Sequence, residues 1–127
     1  MLAVRRYAVT QNETASKERL MVLLFQAALR HIRTAATALE AGRPAEANTP
    51  LAKASDIVAE LMSTLDHSKS PQLCAQLMDV YMFVADRLIT GAGTKTAAPV
   101  REAERVFAPV AEAFAQAVAS LQGPTAK

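Results

Sequence analysis

The chain has 127 residues, of which 51% are hydrophobic and 20% charged, and its formal net charge is +2. This length is most simply one domain with its own core, and the weak, scattered positive charge gives no support for nucleic-acid binding. The single cysteine, Cys74, excludes an intramolecular disulfide framework and is typical of a reducing compartment, and we expect neither a signal peptide nor a membrane-spanning segment.

Residues 1–14 are predicted to form an N-terminal arm with loose structure, because Tyr7 and a few other apolar residues are islands in a polar segment. Two interpretations of the arm stay open: a disordered end, or a segment that places Tyr7 in a groove on the rest of the domain. The second interpretation has a physical basis, since burial of an aromatic side chain contributes about 2 kcal/mol of stabilising free energy.

The first predicted helix runs from about Lys17 to Glu40, with Ser16 as its N-cap. Gly42 is predicted to end it, because glycine readily adopts the left-handed conformation that follows many helices. The helix is apolar on more than one side; its apolar residues include Leu20, Met21, Leu24, Phe25, Ala27, Ala28, Ile32, Ala35 and Leu39. A helix of this kind has several neighbours or carries a ligand face, so we expect it at the centre of a bundle.

Prolines and glycines set the predicted bounds of the next two helices. Pro44 suits the first turn of the second helix, although Pro50 leaves open whether that helix bends there or begins there with Thr49 as its cap. The third helix is predicted to begin at Ser70–Pro71, with a cap followed by a first-turn proline, and to stop at Gly91–Gly93.

The fourth helix is predicted from about Pro99 to residue 122, with a bend at Pro109. The last three helices each have an apolar seam with spacings of three and four residues, which is typical of packing against a neighbouring helix. The predicted seams are Leu51, Ala54, Val58, Leu61 and Leu65; Leu73, Leu77, Tyr81, Val84 and Leu88; and Val100, Ala103, Phe107, Val110, Phe114, Ala117 and Leu121. The sequence therefore predicts an all-α, antiparallel up-down four-helix bundle over residues 15–122, followed by a C-terminal tail over residues 123–127.

No combination of residues predicts catalysis or a bound metal. Helix bundles that hold two metal ions carry Glu-x-x-His pairs, and neither His31 nor His67 has a glutamate three residues earlier. The Asp66–His67 pair is better interpreted as part of a turn, and Cys74 has no base near it in sequence. We therefore expect no enzymatic activity, no metal and no cofactor.

Apolar residues beside the seams exceed what a small four-helix core needs. They are Met21, Phe25, Ile57, Met62, Met78, Met82 and Ile89. Two interpretations stay open: these residues fill the core around a central helix, or they line a groove for a partner helix. The groove suits methionine, whose flexible and polarisable side chain adapts to varied surfaces.

Three segments of the chain form a recognisable series. The first combines Tyr7 and Thr14–Ser16 with the run LMVLLFQAAL at Leu20–Leu29. The second, which is the most specific, is KASDIVAELMSTLD at Lys53–Asp66, and the third is YMFVADRL at Tyr81–Leu88. In this order and at this spacing, the series resembles the FliS family of flagellar secretion chaperones, and the resemblance covers nearly the whole chain.

The resemblance implies a cytoplasmic bundle of four or five helices without enzymatic activity. It also implies binding of the disordered C-terminal segment of flagellin, which prevents premature polymerisation and aids delivery to the flagellar export gate. In the family, the N-terminal arm occupies part of the binding surface when cargo is absent, a role that we assign to Tyr7. The expected flagellin contacts are Tyr7, Met21, Phe25, Ile57, Met62, Met78, Met82 and Ile89.

A helical dimerisation or adaptor module without flagellin binding is the alternative prediction. A self-association face and a groove for a partner helix have the same apolar pattern, so the sequence does not separate them. It also leaves a monomer and a weak dimer both open, and measurement of the oligomeric state on dilution would decide between them.

Overall fold

The computed structural model describes residues 13–122, with side chains from Lys17 to Leu121. These residues form four helices: α1 (Glu13–Glu40), α2 (Pro44–Ser63), α3 (Pro71–Thr94) and α4 (Ala97–Gln122). The predicted all-α helical class is confirmed. The predictions for Tyr7, for the rest of residues 1–12 and for the C-terminal tail lie outside the described residues.

The four helices pack side by side in a ring, in which α1 lies between α2 and α4, and α3 lies between α4 and α2. Helices α1 and α4 run antiparallel, because Arg101 near the start of α4 contacts Glu40 at the end of α1, whereas Phe114 further along α4 contacts Phe25. The up-down order of all four helices stays a prediction that this pair favours. The predicted central position of α1 is wrong, because α1 has two main neighbours, as the other helices do.

The connection between α1 and α2 forms as predicted. Gly42 has a φ of +74°, and the amides of Gly42 and Arg43 donate to the carbonyls of Leu39 and Ala38 at 3.1 and 2.9 Å. This pattern is the Schellman motif, which satisfies carbonyl groups left over at the end of a helix. Pro44 then opens α2 at its first turn, where a missing amide hydrogen costs nothing.

Two other predicted helix ends are wrong, and one open alternative is decided. Ser16 lies inside α1, which begins at Glu13. Of the two starts left open for α2, the structure has the one at Pro44, and the helix continues through Pro50. Helix α3 runs through Gly91–Gly93 and ends at Thr94, followed by Lys95 in the left-handed conformation with a φ of 58°. Gly91 is buried against Val100 of α4, so this glycine permits a close helix approach instead of stopping the helix.

The core follows the predicted seams of α2 and α3 closely, with local corrections. The buried seam residues of these helices are Leu51, Ala54, Val58, Leu61, Tyr81, Val84 and Leu88. Leu73 was predicted in the core, but its side chain is 54% exposed. In α4 the seam shifts by one residue after Phe107, so that Ala111 and Val118 are buried and Ala117 and Leu121 face solvent.

A cluster of aromatic rings joins three of the helices. The ring centroid of Phe25 in α1 lies 6.4 Å from that of Tyr81 in α3, and 5.6 and 5.1 Å from those of Phe107 and Phe114 in α4. Burial raises the pKa of the Tyr81 phenol to about 12. Aromatic pairs at these distances add to the stabilisation from apolar burial alone, so the cluster holds α1 firmly against α4.

Ion pairs cross the same α1–α4 boundary at the surface. Arg101 donates two hydrogen bonds to the carboxylate of Glu40, at 2.9 and 2.7 Å, and Arg33 donates to Glu104 at 2.8 Å. Arg101 also donates to Glu104 at 2.8 Å, so the four side chains form one network. Hydrogen bonds from Arg101 are the main cause that lowers the pKa of Glu104.

Candidate partner-binding groove

A surface groove of about 570 Å³ runs between α1 and α2, on the side of α1 that faces away from α4. Its apolar floor, called the groove floor below, consists of Leu20, Leu23, Leu24, Ala27 and Ile57. Leu23 is 55% exposed, whereas Leu24 is buried. The groove floor therefore continues outward from the core and leaves a large apolar side chain open to water.

Helical spacing explains why α1 has this second apolar face. Leu20, Leu23, Leu24 and Ala27 follow the spacing i, i+3, i+4, i+7, which places their side chains on one side of a helix. The core-facing side of α1 consists of Leu24, Phe25, Ala28, Leu29, Ile32, Ala35, Ala36 and Leu39, so the two faces share Leu24. The apolar character of α1 on more than one side thus comes from a core face and a groove face, and not from a central position in the bundle.

Polar and charged side chains border the groove floor. They are Gln26, Arg30 and His31 from α1, and Lys53, Asp56 and Glu60 from α2. Partial burial lowers the pKa of His31, and the charges of Arg30 and Lys53 lower it further. Since the ordinary pKa of this side chain is 6.5, the imidazole is mostly neutral at pH 7.

The structure distributes the predicted contact residues over several environments. Ile57 lines the groove, whereas Phe25 is 3% exposed and lies in the core. Met21 and Met62 are half-buried and pack against the core. Only one of these four residues therefore belongs to the groove.

Within the described residues, the remaining predicted contacts lie on α3. Met78 is half-buried, while Met82 and Ile89 are 57% and 68% exposed. Their spacing of four and seven residues places these three side chains on one side of the helix, together with Ala85. We call Met78, Met82, Ala85 and Ile89 the α3 row; it is a second apolar surface, on a different helix from the groove floor.

The sequence-based contact list missed Leu20, Leu23, Leu24 and Ala27. The signal is present in the sequence, because all four residues lie in the apolar run Leu20–Leu29 of the first helix. The periodicity of a helix does not say which of two apolar faces meets a neighbouring helix.

The other candidate chemical groups have structural partners. The carboxylate of Asp66 accepts hydrogen bonds from the amide and hydroxyl of Ser68, which lower its pKa and make it part of the turn before α3. The buried thiol of Cys74 donates to the carbonyl of Asp66 at 3.3 Å. Within residues 13–122, no group of three His, Cys, Asp or Glu side chains is placed to hold a metal ion. None of the four helices is long and apolar enough to cross a membrane.

A comparison with protein families gives a match that covers nearly the whole chain. A family model described as "Flagellar protein FliS" matches residues 1–121. No curated protein matches the chain. The FliS family consists of flagellar chaperones and is not known as an enzyme family. With its three family segments, its helical bundle and a match over residues 1–121, this chain belongs to the FliS family of flagellar chaperones.

Proposed function

We propose that this chaperone binds the C-terminal segment of flagellin in the cytoplasm, prevents its premature polymerisation and aids its export through the flagellar export gate. The observation that carries the proposal is the open groove floor, in which Leu23 is 55% exposed beside Ile57 of α2. Large apolar side chains gathered in a groove with a polar border are typical of a surface that a partner covers.

The dimensions of the groove suit a helix of the partner. The lining residues of α1 extend from Leu20 to His31, which corresponds to about 16 Å, or three turns of helix. An amphipathic helix of this length presents apolar side chains at i, i+3, i+4 and i+7, the pattern used in helix-in-groove recognition. A segment that is disordered when free would fold here, and apolar burial would offset the entropy that it loses.

The α3 row is a second proposed flagellin contact. A disordered partner that folds on binding can wrap a large surface, so one segment could cover both the groove floor and the α3 row. The exposed side chains of Met82 and Ile89 support this extension, and Met78 would border it. Three further residues stay predicted flagellin contacts. Met21 and Met62 are half-buried, and Tyr7 lies outside the described residues.

Titration calorimetry with the C-terminal flagellin segment of the same organism tests the proposal. We expect one-to-one binding with a negative heat-capacity change, because apolar surface leaves water when the segment folds onto the chaperone. The absence of binding at tens of micromolar would contradict the proposal.

The exposed Met82 and Ile89 also favour a second candidate function, self-association as a dimerisation or adaptor module. Sedimentation velocity over a dilution series separates the two candidates. A dimer that persists at low micromolar concentration and is unaffected by the flagellin segment would favour the second candidate, whereas a monomer that binds the segment would exclude it.

A further inference from the structure

The apolar stripe that α1 contributes to the groove floor continues into a titratable side chain. Leu20, Leu24 and Ala27 are followed by His31 at the next position of the same helical spacing, so all four side chains lie on one side of α1. His31 lines the groove and is half-buried. The position at which the stripe would take another apolar residue therefore holds an imidazole.

The surroundings of this imidazole disfavour its charged form. Partial burial lowers the pKa of His31 below its ordinary value of 6.5, and the positive charges of Arg30 in α1 and Lys53 in α2 lower it further. The α2 border of the groove also carries the carboxylates of Asp56 and Glu60, about one and two helical turns beyond Lys53. The pKa of His31 is lowered despite these carboxylates, so the cations and the partial burial dominate at this position.

We propose that His31 is a partner contact of the groove in its neutral form alone, so that the partner binds at neutral pH and dissociates as the pH falls. The inference rests on the proposed function, in which the partner is the C-terminal segment of flagellin. It adds a residue that is absent from the predicted contacts, and a condition that controls cargo release.

The physical reason is the free energy needed to bury a charge. A partner that covers the groove removes water from His31, and burial of an unpaired charged group costs far more than burial of a neutral one. Arg30 and Lys53 supply no counter-charge, because both are cations. The side of the partner that meets the apolar stripe is itself apolar, as in helix-in-groove recognition, and brings no carboxylate to the imidazole. Covering the groove therefore lowers the pKa of His31 further.

The sign of the pH dependence follows from the linkage between proton binding and partner binding. The pKa of His31 is lower in the complex than in the free chaperone, so the free chaperone binds more protons at this residue. Affinity is therefore full above about pH 7 and falls as the pH drops through the pKa of the free chaperone, which lies below 6.5. A further lowering by one unit corresponds to about a tenfold loss of affinity below both pKa values.

Titration calorimetry with the C-terminal flagellin segment tests the inference at about pH 7.5 and about pH 5.5, on either side of the ordinary range of histidine. The chain has two histidines, so His31→Gln has a matched control in His67→Gln. His67 is exposed in the turn before α3 and lies outside the groove lining. We expect the wild type and His67→Gln to bind about threefold to tenfold more weakly at the lower pH, and His31→Gln to lose less than about twofold.

Nuclear magnetic resonance of the imidazole rings gives an independent readout that a purely structural role would not change. The ring signals of the two histidines are followed over a pH series, in the free chaperone and in the presence of saturating flagellin segment. We expect the pKa of His31 to be lower in the complex, and the signals of His67 to be unaffected by the segment.

Other outcomes overturn the inference. The same loss of affinity at low pH in His31→Gln as in the wild type would show that other groups cause it. Equal wild-type affinity at both pH values, or a pKa of His31 that is unchanged or higher in the complex, would exclude a contact restricted to the neutral form. A segment that fails to bind at about pH 7.5 would overturn the proposed function itself, so the two failures are distinguishable.

Discussion

The two sides of α1 consist of similar apolar residues but differ in exposure. We call the side packed against the aromatic rings of α4 the closed side, and the side along the groove beside α2 the open side. On the side of α4, Phe25 meets Phe107 and Phe114, and a network that includes Arg101 and Glu40 closes the surface above them. On the side of α2, Leu23 remains 55% exposed along a groove. The large aromatic partners on α4 fill the space beside α1, whereas α2 offers Ile57 flanked by charged residues. The neighbouring helix, and not α1 itself, decides which apolar face becomes core.

The largest expected effect on stability comes from removing an aromatic ring on the closed side of α1. Phe25→Ala should lower the free energy of unfolding by about 3–5 kcal/mol, because it removes a buried aromatic ring and leaves a cavity between three helices. Denaturant titration measures this loss. A variant that keeps wild-type stability but no longer binds the flagellin segment would instead make Phe25 a partner contact.

Two neighbouring glycines should respond in opposite directions to the same substitution. Gly91→Ala should destabilise the fold by about 1–3 kcal/mol, because its new methyl group would overlap Cγ2 of Val100, where α4 closes against α3. Gly93→Ala meets nothing within 4 Å and should stabilise the helix by about 0.5–1 kcal/mol. Thermal unfolding of both variants measures the contrast, and equal effects would contradict the close approach at Gly91.

A substitution on the open side of α1 should weaken partner binding and leave the stability of the fold nearly unchanged. Leu23→Ala should weaken binding of the flagellin segment about tenfold, since a leucine that becomes buried on binding contributes about 1.5 kcal/mol more than alanine. Its effect on unfolding should stay within about 0.5 kcal/mol. Leu73→Ala is the matched control, because Leu73 is 54% exposed and lies away from the groove. Equal losses of affinity for the two variants in titration calorimetry would show that the groove is not the binding site.

The smallest expected effect concerns the ion pairs of the closed side. The pKa of Glu104 lies below its ordinary value of 4.5 in the folded chain, so the folded state binds fewer protons at this carboxyl than the unfolded state. Its stabilising contribution is therefore complete above about pH 4.5 and is lost as the pH falls further. Glu104→Gln should lower stability at neutral pH by at most about 1 kcal/mol and flatten the acid dependence below pH 4.5.

Urea titrations at several pH values check this effect, with Glu112→Gln as a control at an exposed carboxylate of the same helix. An acid dependence that is identical in the wild type and in Glu104→Gln would show that the network contributes nothing to the closure of this side.

The sequence predicted the parts of the fold that depend on neighbouring residues in the chain. The seam of α2 is regular, and its core residues were identified by spacing alone. Gly42 was correctly predicted to end α1, because its left-handed conformation is a local property. Gly91 was misread as a helix stop, since its role depends on Val100 of another helix. The pattern of residues within one helix does not show where another helix approaches it closely.

The exposure of the apolar residues of α1 was predicted less well for the same reason. Phe25 and Leu23 are two residues apart in a helix that is apolar on several sides, and the sequence does not say which one faces α4. The contact list therefore included the buried Phe25 and omitted the exposed Leu23. The α3 row was identified correctly as apolar surplus, since Met82 and Ile89 are exposed, although its role as a flagellin contact stays a prediction.

The most direct test of partner binding in the groove is a nuclear magnetic resonance titration of the isotope-labelled chaperone with the C-terminal flagellin segment. We expect the largest shifts in the methyl and amide signals of Leu20, Leu23 and Ile57, which line the groove. The closed side around Phe107 should change little. Binding that shifts signals only outside the groove, or that disrupts the aromatic cluster while the groove signals stay unchanged, would show that the segment does not bind in the groove.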